Sequence, residues 1–357
     1  RLQEVTGQEA STIHRLLESQ LDPATGQLIF TRDEDNPLKA HAVIVDETSM
    51  VDLPLLASLL RALPTGCRLI LVGDPDQLPP VGPGCPLSDI LRSGVVPAVR
   101  LTEIFRQAQE SLIVMNAHRV NSGVMPDLKT VTSDFFFLRR RTEEAVASTI
   151  GDLCRTRLPD RMGIPPEEIQ VLSPTRKGPT GTASLNLLLQ AQLNPPAPDK
   201  KEKKWGDFSF REGDRVMQIR NNYDILWKKT DGTQVGTGIF NGDIGVITEI
   251  DLNAELLTVV FDDRQAEYDF DMLRELELAY AMTVHKSQGS EYQAVVLAAW
   301  SCAPNLRTRR VLYTAITRAR KLLVVVGRED ILQTMTENQR QSRRYSGLKL
   351  RLQEKEQ

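Results

Sequence analysis

The sequence is short of cysteine, of aromatic residues and of long apolar runs, and each shortage removes a class of protein. Four cysteines occur in 357 residues, Cys67, Cys85, Cys154 and Cys302. None forms a C-x-x-C pair, which argues against a disulfide-stapled scaffold and a thiolate zinc site. The expected compartment is therefore a reducing cytoplasm. No apolar stretch reaches the ~18 residues that a membrane-spanning helix needs, so no membrane partner is expected. Residues Leu2 to Ala10 are mostly polar and lack the apolar core of a secretory leader. A chain that opens on Arg1 rather than Met is expected to be a fragment or a trimmed product. Net charge is small as well: 44 Lys and Arg against 47 Asp and Glu leave −3. Bulk attraction to a polyanion is excluded, and any nucleic-acid contact must come from local patches. The candidates are Arg139-Arg140-Arg141, Lys200 to Lys204 and Arg340 to Arg351, each with a solvated surface as the alternative. Finally, no glycine is followed by lysine, so the phosphate-cradling loop G-x-x-x-x-G-K-[ST] does not occur.

What is present reads as a globular α/β protein. Hydrophobic residues make up 41% and charged residues 25%, enough apolar chain to build a core. At ~150 residues per domain the length allows two or three domains. Ser11 to Leu17 reads as part of an amphipathic helix. A turn at Leu21 to Gly26 and a short strand at Gln27 to Arg32 then predict a protruding hairpin. Ala42 to Val45 and Arg68 to Val72 read as buried parallel strands, with a helix over Met50 to Leu60. Helices are expected at Leu112 to Val120, Glu143 to Cys154 and Arg307 to Arg318. Further buried strands are expected at Ile169 to Leu172, Leu278 to Thr283, Ala294 to Ala299 and Leu322 to Val326. The character changes near Asn194, where a Pro-rich run and Lys200 to Lys204 predict a stiff, charged linker. From Phe208 to about Phe270, short strands punctuated by Gly-Asp turns predict a small antiparallel barrel inserted in the α/β frame.

Three strand ends and one helix carry the chemistry. Val43-Ile44-Val45 ends in Asp46-Glu47. One carboxylate there can hold Mg²⁺ and the next can orient and deprotonate a water, the pairing that phosphoryl transfer requires. The alternative is a helix cap made by Asp46 or Ser49. Leu71-Val72 ends in Gly73-Asp74-Pro75-Asp76-Gln77, and Gln77 is a neutral group suited to sensing a γ-phosphate or its water. The alternative there is an ordinary Asp-Pro turn. Thr283-Val284-His285-Lys286-Ser287-Gln288-Gly289-Ser290-Glu291 follows a strand with several phosphate donors and a glycine that permits close backbone approach. In Tyr313 to Arg320, a continuous helix would place Tyr313, Thr317 and Arg320 on one face and Arg318 elsewhere. An arginine held near a γ-phosphate can act as an arginine finger, and a surface ion pair is its alternative.

In order and spacing these motifs resemble the motor core of superfamily 1 DNA helicases, in the RecD-like branch. Asp46-Glu47 is similar to motif II, Gly73 to Gln77 to motif III and Glu103-Ile104-Phe105-Arg106-Gln107 to motif IV. Thr283 to Glu291 resembles motif V, and Tyr313 to Arg320 motif VI. Thr12 to Leu17 resembles the Ib-region signature, and Val171 to Gly178 the first strand of the second motor domain.

The resemblance implies two RecA-like parallel-sheet domains with an SH3-like barrel insertion and a β-hairpin pin. The first would span about 1–130, with the pin near 20–36. The second would span 131–207 and 271–357, and the barrel 208–270. It further implies ATP and Mg²⁺ as cofactors, with Asp46 on the metal and Glu47 activating water. Gln77 would couple the γ-phosphate to DNA, and Arg106 and Arg318 would reach that phosphate. Gly73, Asp74, Gly289 and Glu291 would lie near the nucleotide. Thr12, His14, Ser173, Thr175, Thr283, His285, Lys286 and Ser287 would lie toward single-stranded DNA or at the coupling hinge. Phe30 would be an apolar wedge at the duplex fork, with packing against its own domain as the alternative.

The implied activity is 5′-to-3′ translocation and unwinding in recombination or repair, by a stand-alone enzyme or by a subunit of a recombination nuclease. The departure from the family is the missing phosphate cradle. In the family it lies just upstream of Arg1, so these residues alone are expected to turn over no ATP. A nucleic-acid-binding module without motor activity is the competing expectation, since small barrels bind single strands.

Overall fold

The computed structural model describes residues 6–8, 10–21, 28–103, 110–130, 134–300, 302–340, 344 and 346–354. The chain divides into two compact units, 1–103 with 341–357, and 104–340.

The first unit opens with helix α1 (Ile13–Leu16), capped by Thr12, whose hydroxyl accepts from the Arg15 amide. Strands β1 (Ser19–Leu21) and β2 (Leu28–Phe30) pair antiparallel, Ser19 opposite Phe30. The expected hairpin is therefore present, and its turn lies outside the described residues. Strand β3 (Ala42–Val45) pairs in parallel with β4 (Arg68–Leu71), and α2 (Leu53–Ala62) connects them. Both strands were expected to be buried throughout. Instead they alternate: Val43 and Val45 enter the core, while Ile44 is 59% and Ile70 47% exposed. Among the described residues this sheet has two strands, and the face that carries Ile44 and Ile70 is exposed.

Val43 and Val45 meet Leu17, Leu38, Val51, Leu56, Leu59 and Ala62 in one cluster. The helix expected from Met50 begins later. A 3₁₀ turn covers Thr48–Met50, and α2 starts where the Asp52 carboxylate accepts from the Leu55 amide. Helix α3 (Pro86–Ser93) follows, and a C-terminal helix at Leu348–Glu354 packs on it. Gln353 donates to the Ser93 carbonyl, and Arg344 donates to the Gly82 and Gly84 carbonyls. In the basic tail, Arg344 thus braces its own unit.

Among the described residues the second unit holds two large sheets and a two-stranded one. The first is entirely parallel, in the order Ala281–Thr283 (β16), Ile169–Ser173 (β6), Tyr292–Ala299 (β17), Ala319–Gly327 (β18) and Phe135–Arg139 (β5). Its outer strand β5 (Phe135–Arg139) lies between helices α4 (Leu112–Asn121) and α5 (Glu143–Asp152) in the chain. Strand β6 (Ile169–Ser173) leads into α6 (Thr182–Leu193). The near-continuous apolar runs of β6, β17 and β18 fit a sheet covered on both faces.

Between α6 and the return to this sheet come β7 (Glu202–Trp205), β8 (Phe208–Arg211) and β9 (Arg215–Gln218). Then follow β10 (Asn222–Lys229), β11 (Val235–Ile239), β12 (Ile244–Asp251), β13 (Leu256–Phe261), β14 (Arg264–Asp269) and β15 (Leu276–Leu278). Strands β9 to β15 form one antiparallel sheet in the order β11-β10-β14-β13-β12-β9-β15. Phe210, Ile239, Ile247, Phe261 and Tyr268 are fully buried.

Three expectations are corrected here. The charged linker contains a strand, β7, which pairs antiparallel with β8. The apolar run at Leu278 is split: β15 completes the antiparallel sheet against β9, and β16 (Ala281–Thr283) starts the parallel return. Strand β17 (Tyr292–Ala299), α7 (Arg309–Ile316), β18 (Ala319–Gly327) and α8 (Glu329–Glu337) finish the unit. The helix expected to run to Arg318 ends at Ile316, and Arg320 stands on β18. Tyr313, Thr317 and Arg320 therefore do not share a helical face.

Candidate functional site

In the first unit two loops leave neighbouring strand ends together, because Val45 is in register with Leu71. Hydrogen bonds tie them. The Val72 amide donates to the Val45 carbonyl at 2.8 Å, and the Thr48 amide donates to the Val72 carbonyl at 2.9 Å. The Thr48 hydroxyl lies 3.0 Å from the Val45 carbonyl and 2.8 Å from the Val72 carbonyl, and shares its one proton between them. Gly73 fits against this turn: a Cβ there would stand 3.0 Å from the Thr48 nitrogen and 3.1 Å from that of Ser49.

Glu47 sits at φ +50° and ψ +39°, a left-handed conformation that costs a non-glycine residue energy. Such strain persists where surrounding bonds impose it, and it gathers at functional sites. The exposed Asp46 caps no helix: its Oδ1 accepts from the Glu47 amide at 2.8 Å, and Asp52 makes the α2 cap. Asp74 accepts from the Asp76 amide at 2.9 Å in a tight Asx turn. This turn carries Gln77 inward, where it is 8% exposed. Its Oε1 is buried with no hydrogen-bond partner among the described residues.

Thr12 caps α1, and His14 on that helix lies 5.8 Å from the Phe30 ring. Burial lowers the His14 pKa, while the nearby Asp52 raises it less, so the ring is neutral near pH 7. Phe30 is half-buried against the core of its own unit.

In the second unit the register sets Ser173 beside Thr283 on adjacent parallel strands. Both following loops leave the same sheet edge. Two of the expected polar residues face inward: Ser173 donates to the Thr180 carbonyl at 2.8 Å, and Ser287 donates to the Val284 carbonyl at 2.9 Å. Thr175 closes its loop by accepting from the Thr182 amide at its carbonyl. Lys286 donates from its amide to the Thr283 carbonyl, and His285 is exposed between them. Gly289 adopts φ +75°, which lets this loop turn back toward β17. Glu291 pairs with Arg320 at 3.5 Å. Arg318 is 2% exposed and donates to the Ser290 carbonyl at 3.1 Å and to the Thr317 hydroxyl at 3.3 Å. Arg106 lies outside the described residues.

Residues 185–261 match the family described as the ATP-dependent RecD-like DNA helicase SH3 domain. Residues 278–326 match the UvrD-like helicase C-terminal domain, and residues 1–83 match an AAA domain. The chain is 35% identical over 343 residues to the ATP-dependent RecD2 DNA helicase of Deinococcus radiodurans, covering 96% of this chain and 43% of that protein. It is 31% identical over 369 residues to the RecBCD enzyme subunit RecD of Mycolicibacterium smegmatis, covering 98% of this chain and 60% of that one. Over nearly its whole length the chain is similar to RecD-like helicases.

It spans about half the length of these relatives. A solved structure of Bacteroides Pif1 bound to ssDNA shares the fold at a TM-score of 0.50 and 18% identity, over 94% of this chain and 86% of that one. The RecD-like fold is thus an α/β frame of parallel strands, with the antiparallel sheet as its SH3-like insertion.

Mg²⁺ is held by one or two carboxylates together with phosphate oxygens and water. The exposed Asp46 at a strand end fits that donor set. Among the described residues no three His, Cys, Asp or Glu side chains cluster, so Asp46 would share such an ion with a nucleotide rather than with a protein cage.

Sequence reasoning gave no role to Thr48, Asp214 or Glu277. Thr48 directly follows the two acids, a signal that was available. Asp214 is fully buried and accepts from Gln190, Asn194, Tyr280 and the Arg211 amide at 2.6–2.9 Å. Its donors are scattered along the sequence, so nothing local announces it. The basic run at Arg139-Arg140 is also structural: Arg139 pairs with Glu329, and Arg140 donates to the Thr149 hydroxyl at 2.6 Å.

Proposed function

We propose that the protein is the motor portion of an ATP-dependent DNA helicase that moves 5′ to 3′ along single-stranded DNA. The observation that carries this reading is the Asp46-Glu47 turn, held left-handed at Glu47 and bonded to the strand end that carries Gln77. Glu47 takes the proton of an attacking water, and its fixed backbone aims the carboxylate. Asp46 would hold Mg²⁺, which when bound would neutralise charge on the phosphate oxygens. The unpartnered Gln77 oxygen accepts from that water or from a neighbouring donor, and so senses whether the γ-phosphate is there.

Arg106 and Arg318 donate to the γ-phosphate. For Arg318 this means exchanging the Ser290 carbonyl for a phosphate oxygen. Asp74, Gly73, Gly289 and Glu291 shape the loops around the nucleotide. The strand-end loops carrying Thr175, Thr283, His285 and Lys286, together with Thr12 and His14, face the single strand. Ser173 and Ser287 set the shape of those loops from inside. The β1–β2 hairpin splits the fork. The phosphate-gripping loop G-x-x-x-x-G-K-[ST] of such motors is not among these residues.

Retention of the acid pair, Gln77 and Arg318 favours a motor over a passive binder. In the barrel, Tyr223 packs on Phe240 at 5.4 Å and Phe208 on Phe210 at 5.0 Å, so these rings are already engaged with each other. The protein acts in recombination or repair, alone or as the motor subunit of a recombination nuclease.

Strand-displacement assays of the full-length protein test this. A duplex with a 5′ single-stranded tail is unwound with ATP, and one with a 3′ tail is not. Unwinding from the 3′ tail would overturn the polarity. No unwinding of either, in the presence of the partners that co-purify, would overturn the motor.

A further inference from the structure

Glu277 lies on β15, the edge strand of the antiparallel sheet, opposite Met217 of β9. Its two carboxylate oxygens are taken by two cations from the parallel sheet. Lys286, in the loop after β16, donates from Nζ at 2.8 Å. Arg176, in the loop after β6, donates from Nη2 at 2.7 Å. Because β16 and β6 are neighbours, with Thr283 beside Ser173, both loops leave the same sheet edge. One carboxylate from the barrel thus pairs with two cations on the loops assigned above to single-stranded DNA. All three side chains remain partly exposed, Arg176 most of all, so solvent and a polyanion can reach the pairs. Burial pushes the Glu277 carboxyl up, but Lys286 and Arg176 outweigh it and hold the pKa below its ordinary value. The carboxylate is therefore charged at neutral pH.

We propose that Glu277 is a positioning residue that acts as a competitor for the strand: it holds Lys286 and Arg176 in place, and a DNA phosphate displaces it from them. The inference rests on the reading that single-stranded DNA crosses this sheet edge. Physically, the carboxylate and the phosphodiester are both monoanionic acceptors for the same two donors. Exchange replaces one charge-assisted bond with another of the same kind. Binding then costs little in direct contacts and yields a modest affinity that can be released at each step. It also couples the strand to the barrel, since freeing the carboxylate removes the two ion pairs that join β15 to the strand-end loops.

The test is equilibrium binding of a short labelled oligothymidylate to the full-length protein over a range of salt concentrations. Glu277→Gln keeps the size and removes the charge. It should tighten binding roughly three- to tenfold at low salt, on the scale of two partly exposed pairs released. The slope of log K against log salt should also steepen by about 0.7 per cation freed to a phosphate. A role in folding alone would not steepen that slope. Lys286→Gln and Arg176→Gln should each weaken binding, and in the Lys286→Gln background the effect of Glu277→Gln should shrink.

If the two cation variants weaken binding but Glu277→Gln leaves affinity and slope unchanged, or weakens binding, the competitor role is wrong and the strand path stands. If neither cation variant alters binding, the strand does not cross this edge, and both the path and the competitor role fall.

Discussion

Thr48 shows how one side chain can set the geometry of a reaction. Its hydroxyl and amide close the gap between two strand ends, and the residue before it takes the strained conformation. Thr48→Val keeps the shape and removes the hydroxyl, leaving the buried Val45 carbonyl and the part-buried Val72 carbonyl with one donor fewer. The expected loss is about 1–2 kcal/mol of stability by denaturant unfolding. ATP turnover should fall as well, because the Glu47 carboxylate loses the support that aims it. A variant as stable as the parent would show that the amide bond alone holds the turn. Around this residue the sequence was legible in part. Asp46, Glu47, Gly73 and Gln77 stood out as polar groups ending apolar runs. Thr48 did not, because its role depends on the carbonyl of Val72, 24 residues away.

At the scale of elements, the seam between the parallel sheet and the barrel depends on Asp214. Four donors converge on its fully buried carboxylate from α6, from the residue after it, from the end of β8 and from the turn between β15 and β16. Burial pushes its pKa up while those donors pull it down, and burial prevails. Asp214→Asn would turn an amide N–H₂ toward donors that have nothing to offer it. The expected cost is about 2–3 kcal/mol, read as a lower denaturation midpoint with unchanged steepness. A drop of under half that would mean the seam relaxes around the amide.

Element existence was legible where an apolar run ended on charged residues: Ala42–Val45, followed by Asp46-Glu47, was read with the bounds it has. It failed where charge masked a strand. β7 carries the sequence Glu-Lys-Lys-Trp and pairs only because β8 lies beside it. The basic run after Phe135–Arg139 likewise drew attention away from a strand whose partner, β18, lies far along the chain. Helical periodicity across Tyr313 to Arg320 failed for a related reason. The chain must turn after Ile316 to enter β18, and pairing with β17 decides where.

For the whole molecule, the α/β frame with its inserted barrel was legible because the motifs fall in a fixed order and several of them end strands. What composition could not reveal was how the charges are used. A net charge of −3 hides pairs such as Glu277 with Lys286 and Arg176, in which acids from one sheet offset cations from another. The central claim is that the chain is a motor whose chemistry runs through Glu47, and not a passive binder of nucleic acid. The most direct measurement is ATP turnover by the full-length protein with and without single-stranded DNA, beside a Glu47→Gln variant, with DNA affinity measured on both. The account predicts strong stimulation by DNA in the parent. In the variant, turnover should fall at least about 100-fold, as expected for loss of a general base, with DNA affinity within about twofold. Turnover that survives Glu47→Gln, or a parent that binds DNA and hydrolyses no ATP, would contradict it.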